Sequence, residues 1–195
     1  MIRATVDLLN QSGLSAVDIK EVATASAASK ASVQRFFPGG KLELATAALR
    51  EVEQDIARWF RAVFHQRKPI VEKVALLFSD AAGNMEASGF TKGCPATSVT
   101  LDMDRDSESL RAVCHTVFTT WQDAIATGLD EVPKAERSEA AELILATLEG
   151  AMALSRAAAT KEPLLRAGRT LGALLSRKFR AASSRGGARR RRRKT

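Results

Sequence analysis

Apolar residues recur three and four positions apart over most of this chain, and no stretch alternates strictly between apolar and polar. The pattern predicts an all-α protein. Breakers are few and most fall between the periodic segments. Residues 1–12 place Val6 and Leu9 on one face and stop at Gly13, with Leu14 turned inward after it. Two short helical segments follow. From Leu42 an unbroken stripe of Leu42, Ala45, Leu49, Val52, Ile56, Trp59 and Val63 predicts one long helix up to the Lys68-Pro69 break, long enough to join two subdomains. Further helices are expected over about 69–87, in a short piece opened by Pro95, over 107–128, over 138–160, and from Pro163 to about Phe179. Beyond Ala181 the apolar face is lost, and AASSRGGARRRRRKT is expected to be a mobile, disordered tail. The expected organisation is a head over 1–48, a helical body over 49–180 and a basic tail over 181–195.

The most distinctive stretch is 18–44, DIKEVATASAASKASVQRFFPGGKLEL. Ser15 and Asp18 stand three apart, a spacing like that of a capping box, and a short helix is expected from there to about Ala25. Ser29 is placed to cap a second short helix running to about Phe37. The charges from Ala25 to Lys41 are Lys30, Arg35 and Lys41, with no acid among them. A helix, a turn and a cationic second helix over about 18–37 is the layout of a DNA-reading helix-turn-helix. Lys41 and the Gly39-Gly40 amides fall at the start of the long helix, where the dipole and free N–H groups favour a phosphate.

Charge sharpens this picture. The chain has 195 residues, 45% of them hydrophobic, and a net charge of +8, but residues 177–194 hold ten Lys and Arg and no acid. The rest is therefore about neutral, and the basic excess sits in the tail. Arg189 to Lys194 suits either a salt-sensitive, sequence-blind DNA anchor or a disordered end without a role. Two cysteines are too few for a disulfide framework, and no apolar run approaches the roughly 20 residues of a membrane span. MIRATVDLLN carries charge inside its apolar pattern, unlike a signal peptide. These features predict a soluble cytoplasmic protein with no membrane partner.

Catalytic and metal chemistry find little support. His65, His115, Cys94 and Cys114 lack metal-ligand spacing, and no nucleophile–base pair, acid–base pair or phosphate loop is visible, so neither an enzyme nor a bound metal or cofactor is expected. Cys94, between Gly93 and Pro95, is a redox sensor if exposed and a packed thiol if buried.

The residues resemble the TetR/AcrR family of transcriptional repressors, with a body similar to the LmrA/YxaF-type subgroup. The resemblance is carried by Gly13, Glu21-Val22-Ala23, Ser29-Lys30, Phe37-Pro38-Gly39-Gly40-Lys41 and Glu43-Leu44 in the head. In the body it is carried by Gly93-Cys94-Pro95, Trp121, Leu148-Glu149-Gly150-Ala151 and Glu162-Pro163-Leu164. Together these reach from Ile2 to about Leu175. The chain departs from the family pattern at Ala27 and Ala31, where Gly is frequent, and at Gln34, Arg35 and Phe36, which replace an aromatic-His pair. It also starts at the first helix, without the basic arm many relatives place upstream.

The resemblance implies a three-helix head joined by the long helix to a ligand-binding and dimerising bundle, and a homodimeric repressor released from a near-palindromic double-stranded operator by an unidentified small molecule. DNA contacts are then expected from Ser29, Lys30, Ser32, Gln34, Arg35, Phe36 and Lys41. Candidate pocket residues are Phe64, Phe78, Met85, Phe90, Met103, Val113, Phe118, Trp121 and Met152, with Trp121 foremost as a large aromatic on a middle helix. Asp102 and Asp104 suit either a cationic ligand or a solvated turn. Small residues Ala146, Gly150, Ala153 and Ala157, with Leu164, Leu171 and Leu175, are expected at a four-helix interface between two copies. Two other readings stay open: a helical small-molecule-binding protein with a degenerate head, and a sequence-blind nucleic-acid binder working through the tail.

Overall fold

A computed structural model describes residues 1–104 and 107–192, with side chains described as far as Phe179. The expected tail over 181–195, including Arg189 to Lys194, lies outside the residues whose side chains are described. The chain folds as α1 (Ile2–Ser12), α2 (Ile19–Ala25), α3 (Lys30–Phe36), α4 (Gly40–Phe64), α5 (Ile70–Ala87), α6 (Pro95–Asp102), α7 (Glu108–Ala126), α8 (Arg137–Ala158) and α9 (Glu162–Arg192). Short 3-10 turns at Leu14–Ala16 and Lys134–Glu136 precede α2 and α8, and no strand forms among the described residues.

Helices α1 to α3 form a head closed over Leu9, Leu14, Val17, Val22 and Val33, all at 5% exposure or less. Leu44, Ala45, Ala48 and Leu49, on the first turns of α4, are fully buried in the same continuous core. The head is thus locked onto the start of α4, whose far half supplies Ala57, Phe60, Val63 and Phe64 to the body. Leu42 departs from the expected stripe and is 47% exposed. Leu44 takes the inward place in that first turn, so the buried face begins two residues later.

The start of α2 also differs from expectation. Asp18 itself is the N-cap, accepting from the Glu21 amide at 2.8 Å. Ser15 lies in the preceding 3-10 turn and its hydroxyl donates back to Ser12 O, so it caps nothing in α2. Ala27, in the turn between α2 and α3, takes φ +52°. That left-handed conformation is one glycine adopts without steric cost and alanine does not.

In the body, α5 and α9 lie close enough that their backbones nearly touch. A Cβ on Gly168 would stand 2.6 Å from the Phe78 Cβ, and one on Gly172 would stand 3.1 Å from Val71 O. Gly168→Ala is therefore expected to destabilise the protein by about 1–3 kcal/mol through overpacking, outweighing the roughly 1 kcal/mol that alanine gains over glycine in a helix. Urea unfolding should show a lower midpoint at unchanged slope. A midpoint at or above that of the parent would show that the helices separate freely.

Candidate DNA-binding head and ligand cavity

Helix α3 is short and held by few contacts, which fixes what it presents. Ser29 caps it, accepting from the Ser32 amide at 3.0 Å, and the Ser29 and Ser32 hydroxyls lie 2.9 Å apart. Ser32 is thereby drawn into the cap. Val33, fully buried, anchors the helix to the head, leaving Ser29, Lys30, Gln34, Arg35 and Phe36 exposed, with Phe36 at 65%. Lys41 is exposed in the first turn of α4. Lys30, Arg35 and Lys41 enter none of the ion pairs found among the described residues. The head therefore offers a cationic, hydrogen-bonding face of the kind that fits a major groove.

The Gly39-Gly40 amides do not serve a phosphate as expected. Gly39 N–H donates to Glu43 Oε2 at 2.8 Å, and Gly40 N–H donates to Phe37 O at 2.9 Å. Glu43, in the first turn of α4, already provides the negative charge that this helix end favours. Lys41 remains as an exposed donor at this helix end.

The body holds a cavity of about 270 Å³ between α4, α5, α7, α8 and the residues leading into α6. Val52, Ile56, Trp59 and Phe60 of α4 form one wall, and Ala81, Asn84 and Met85 of α5 another. Trp121 of α7 and Leu148, Glu149 and Met152 of α8 line it with Lys92, Gly93, Cys94 and Pro95, while Asn10 of α1 closes the side nearest the head. Trp59 stacks on Phe60 with centroids 5.1 Å apart, and Trp121 meets Phe60 edge-on at 6.1 Å. Trp121 Nε1 donates to Glu53 O of α4 at 3.0 Å, and Thr120 donates to the Glu53 carboxylate at 2.7 Å. One of the cavity's two tryptophans is thus tied from α7 to the helix that carries the head.

Of the pocket candidates, the structure brings Met85, Trp121 and Met152 together at the cavity. Phe64 and Phe78 are corrections: both are fully buried in solid core. A Cβ on Gly128 would meet the Phe64 backbone at 2.6 Å, and one on Gly168 would meet the Phe78 Cβ, so a glycine packs tightly against each, and neither lines the cavity. Phe118 stands outside the cavity with its ring edge-on to Trp121 at 5.6 Å. Val113 lines a shallow surface groove with Arg50 and Glu53. Phe90 and Met103 pack partly buried against the core away from the lining, Phe90 with φ +60° in the turn after α5.

Glu149, Thr97 and Lys92 were not among the candidates. Glu149 and Cys94 lie in Leu148-Glu149-Gly150-Ala151 and Gly93-Cys94-Pro95, two of the segments that carry the family resemblance. Folding brings them face to face. Thr97 donates to Glu149 Oε2 at 2.7 Å, and Cys94 lies beside the same carboxyl on the cavity lining. Burial pushes the Glu149 carboxyl above its ordinary range, with the Thr97 hydrogen bond opposing in part. Burial, and then the charge of Glu149, push the Cys94 thiol far above the usual thiol range. Cys94 is a packed, protonated thiol rather than an exposed redox sensor. Burial likewise raises Cys114. His65 lies within 3.2 Å of the Thr127 hydroxyl, His115 is exposed, and no group that could hold a metal occurs among the described residues.

A raised carboxyl binds its proton more tightly in the folded than in the unfolded chain, so its contribution to stability falls as pH climbs from about 4.3 through the folded value. Glu149→Gln removes that loss. Its melting temperature should exceed the parent's at pH 8, with the gap closing towards pH 4. An equal gap at both pH values would show that Glu149 is not held in a desolvated site.

The end of α1 is tied to the body by four contacts. Gly93 N–H donates to Asn10 O at 2.9 Å, Arg156 donates to Gln11 O at 2.8 Å, and Lys92 pairs with Asp7 at 2.8 Å. Asp102, last residue of α6, accepts from the Leu14 amide at 2.9 Å. Asp102 is therefore a clamp on the head and takes no part in the cavity, whereas Asp104 is exposed. A Cβ on Gly13, which has φ +74°, would stand 2.2 Å from Asp102 Oδ2, so this position requires glycine for space as well as conformation.

On the far side of the body, Ala146, Gly150, Ala153 and Ala157 lie exposed on α8, beside Leu143 at 49% and Leu154 at 64% exposure. A shallow groove there runs past Gly150, Leu154, Ala158, Pro163 and Arg166. Leu164, Leu171 and Leu175, expected at an interface between copies, are instead buried in the protomer's own core at 6% exposure or less. They share the α9 face with Gly168 and Gly172, the face seated on α5. Leu174, 51% exposed, is the large apolar residue that α9 leaves outside among its described side chains.

A model of the C-terminal domain of LmrA/YxaF-like transcriptional regulators matches residues 70–170. The helix-turn-helix-type transcriptional regulator YxaF of Bacillus subtilis is 29% identical over 160 residues, spanning 81% of this chain and 84% of that protein. Among solved structures, the regulatory protein TetR from Rhodobacter sphaeroides superposes with a TM-score of 0.78 at 24% identity, covering 88% of this chain and 94% of that one. A cysteine mutant of the TetR-family regulator CifR, complexed with 26-base-pair operator DNA, superposes with a TM-score of 0.75 at 17% identity, over 88% and 92% of the two chains.

Proposed function

Because this chain belongs to the TetR/AcrR family of transcriptional regulators, with an LmrA/YxaF-type C-terminal domain, we propose that it is a ligand-responsive repressor that binds a near-palindromic operator as a homodimer. In this reading a small molecule entering the cavity of the body releases the DNA. The family consists of regulators and not enzymes, and among the described residues no helix is long and apolar enough to cross a membrane. We place its work in the cytoplasm, at the chromosome.

The observation that carries the reading is that α4 belongs to both sites. Its first turns are locked into the head through Leu44, Ala45 and Ala48, and one to three turns further on it forms a cavity wall through Val52, Ile56, Trp59 and Phe60. A ligand that displaces that wall turns or tilts the head. The segment Lys92–Pro95 adds a second route, since it lines the cavity and its Gly93 and Lys92 hold α1. In a dimer the two α3 helices would enter successive major grooves about 34 Å apart, so a small change in their separation costs operator affinity. Bases would be read by Gln34 and Arg35, with Lys30 and Lys41 on phosphates. The exposed α8 face of Ala146, Gly150, Ala153, Ala157 and Leu154 would seat the second copy.

The exposed, unpaired cations of the head favour this over a body whose head has lost DNA. Capture of fragmented genomic DNA on the purified full-length protein, followed by sequencing, tests it. A shared near-palindrome is expected among the bound fragments. Fragments with no common site would overturn the repressor reading and leave a sequence-blind binder.

A further inference from the structure

We propose that the cavity is shaped for a small planar aromatic cation, with Glu149 as its counter-ion and Trp59, Phe60 and Trp121 as the ring faces it lies against. This rests on the reading of the cavity as the effector site. The lining is mainly aromatic and aliphatic, and its charged side chains are Glu149 and Lys92. Lys92 is already paired with Asp7 at 2.8 Å, and nearby Arg156 is committed to Gln11 O at 2.8 Å. Neither is paired with Glu149, whose carboxylate accepts from the uncharged Thr97 hydroxyl at 2.7 Å.

A neutral ligand that expels water from this cavity deepens the desolvation that already raises the Glu149 carboxyl and drives it towards its protonated form, and an anionic one adds repulsion. A cation instead gains from the carboxylate and from the electron-rich ring faces, and both attractions strengthen as water leaves. Asn10 and Asn84 supply carboxamides at the margin for any polar substituent. The volume of about 270 Å³ sets the size at two or three fused rings.

The test uses N-methylquinolinium and its uncharged isostere 1-methylnaphthalene, titrated calorimetrically into the full-length protein at pH 8. The cation should bind about tenfold or more tightly than the hydrocarbon. Glu149→Gln should erase that preference while leaving hydrocarbon affinity within about twofold, which also shows that the variant's cavity is intact; Glu149→Asp should keep part of the preference. A cation bound no more tightly than the hydrocarbon, or a preference that survives Glu149→Gln, overturns the proposal while the cavity remains a ligand site. Binding of neither probe overturns the cavity as effector site as well.

Discussion

Replacing Gln34 and Arg35 together by alanine should lower affinity for the captured operator by about 10²- to 10⁴-fold, with the melting temperature unchanged. Both side chains are exposed on α3, and the helix is held through Val33 and the Ser29 cap, neither of which the change touches. Each bidentate contact to a base edge discriminates by about 1–3 kcal/mol, and a dimer presents each residue twice. Affinity for unrelated duplex should fall far less, because phosphate contacts carry most of that binding. Lys30→Ala provides the contrast: it should weaken operator and scrambled duplex alike and shallow the salt dependence by about one unit of slope. Fluorescence anisotropy on both duplexes at several salt concentrations measures all of these. An unchanged operator affinity in the double variant would remove α3 as the reading helix.

Gly150→Glu combined with Leu154→Glu is expected to turn the proposed dimer into a monomer and to cost the operator complex about 10²- to 10⁴-fold. The two positions lie on the exposed α8 face, Leu154 at 64%, and a Cβ on Gly150 meets no atom within 4 Å in the protomer. The single chain therefore accommodates both changes. In a twofold interface they would place four carboxylates together against an apolar surface, which association does not tolerate. Two linked heads bind with an effective concentration that a lone head lacks, and that gain disappears with the dimer. Light scattering should report the mass of one chain, circular dichroism a retained helical spectrum, and calorimetry a still functional cavity. A variant that remains dimeric would move the interface elsewhere.

The all-helical order and the helix-turn-helix were legible because periodicity and punctuation coincide: Gly13, Ser29, Gly39, Pro69 and Pro95 each stand at or next to an element boundary. Periodicity says which face of a helix is inside but not what it is inside against. Phe64 and Phe78 have the same pattern as Met85 and Trp121, and what separates them is the contact each makes in space: glycines pack against the first pair, a void faces the second. Leu164, Leu171 and Leu175 show the same ambiguity between a protomer's core and an interface, resolved by the close approach of α9 to α5. The Gly39 amide was misjudged because Glu43, four residues on, reaches back to it. Glu149 did leave a trace, as a single acid amid the small and apolar residues of Leu148-Glu149-Gly150-Ala151. Its significance needed Thr97 and Cys94 beside it, from a helix start about fifty residues away.

The head-to-body ties explain how one fold serves two sites. Asp102, Arg156, Lys92 and Gly93 satisfy polar groups along the second half of α1 and at Leu14, so the head's orientation is set by residues of the body rather than by its own core alone. Trp121, bonded to Glu53, places the cavity in direct contact with α4. In the proposed repressor, movement of the body would be transmitted through rigid elements already in contact.

The most direct measurement is the ratio of affinities of the full-length protein for its captured near-palindrome and for a scrambled duplex of the same length, at 150 mM salt. A sequence-reading dimer should show a ratio of about 10³ or more, with two chains per operator. A ratio near one, with both affinities collapsing together as salt rises, would contradict it and leave a protein that holds DNA by charge alone.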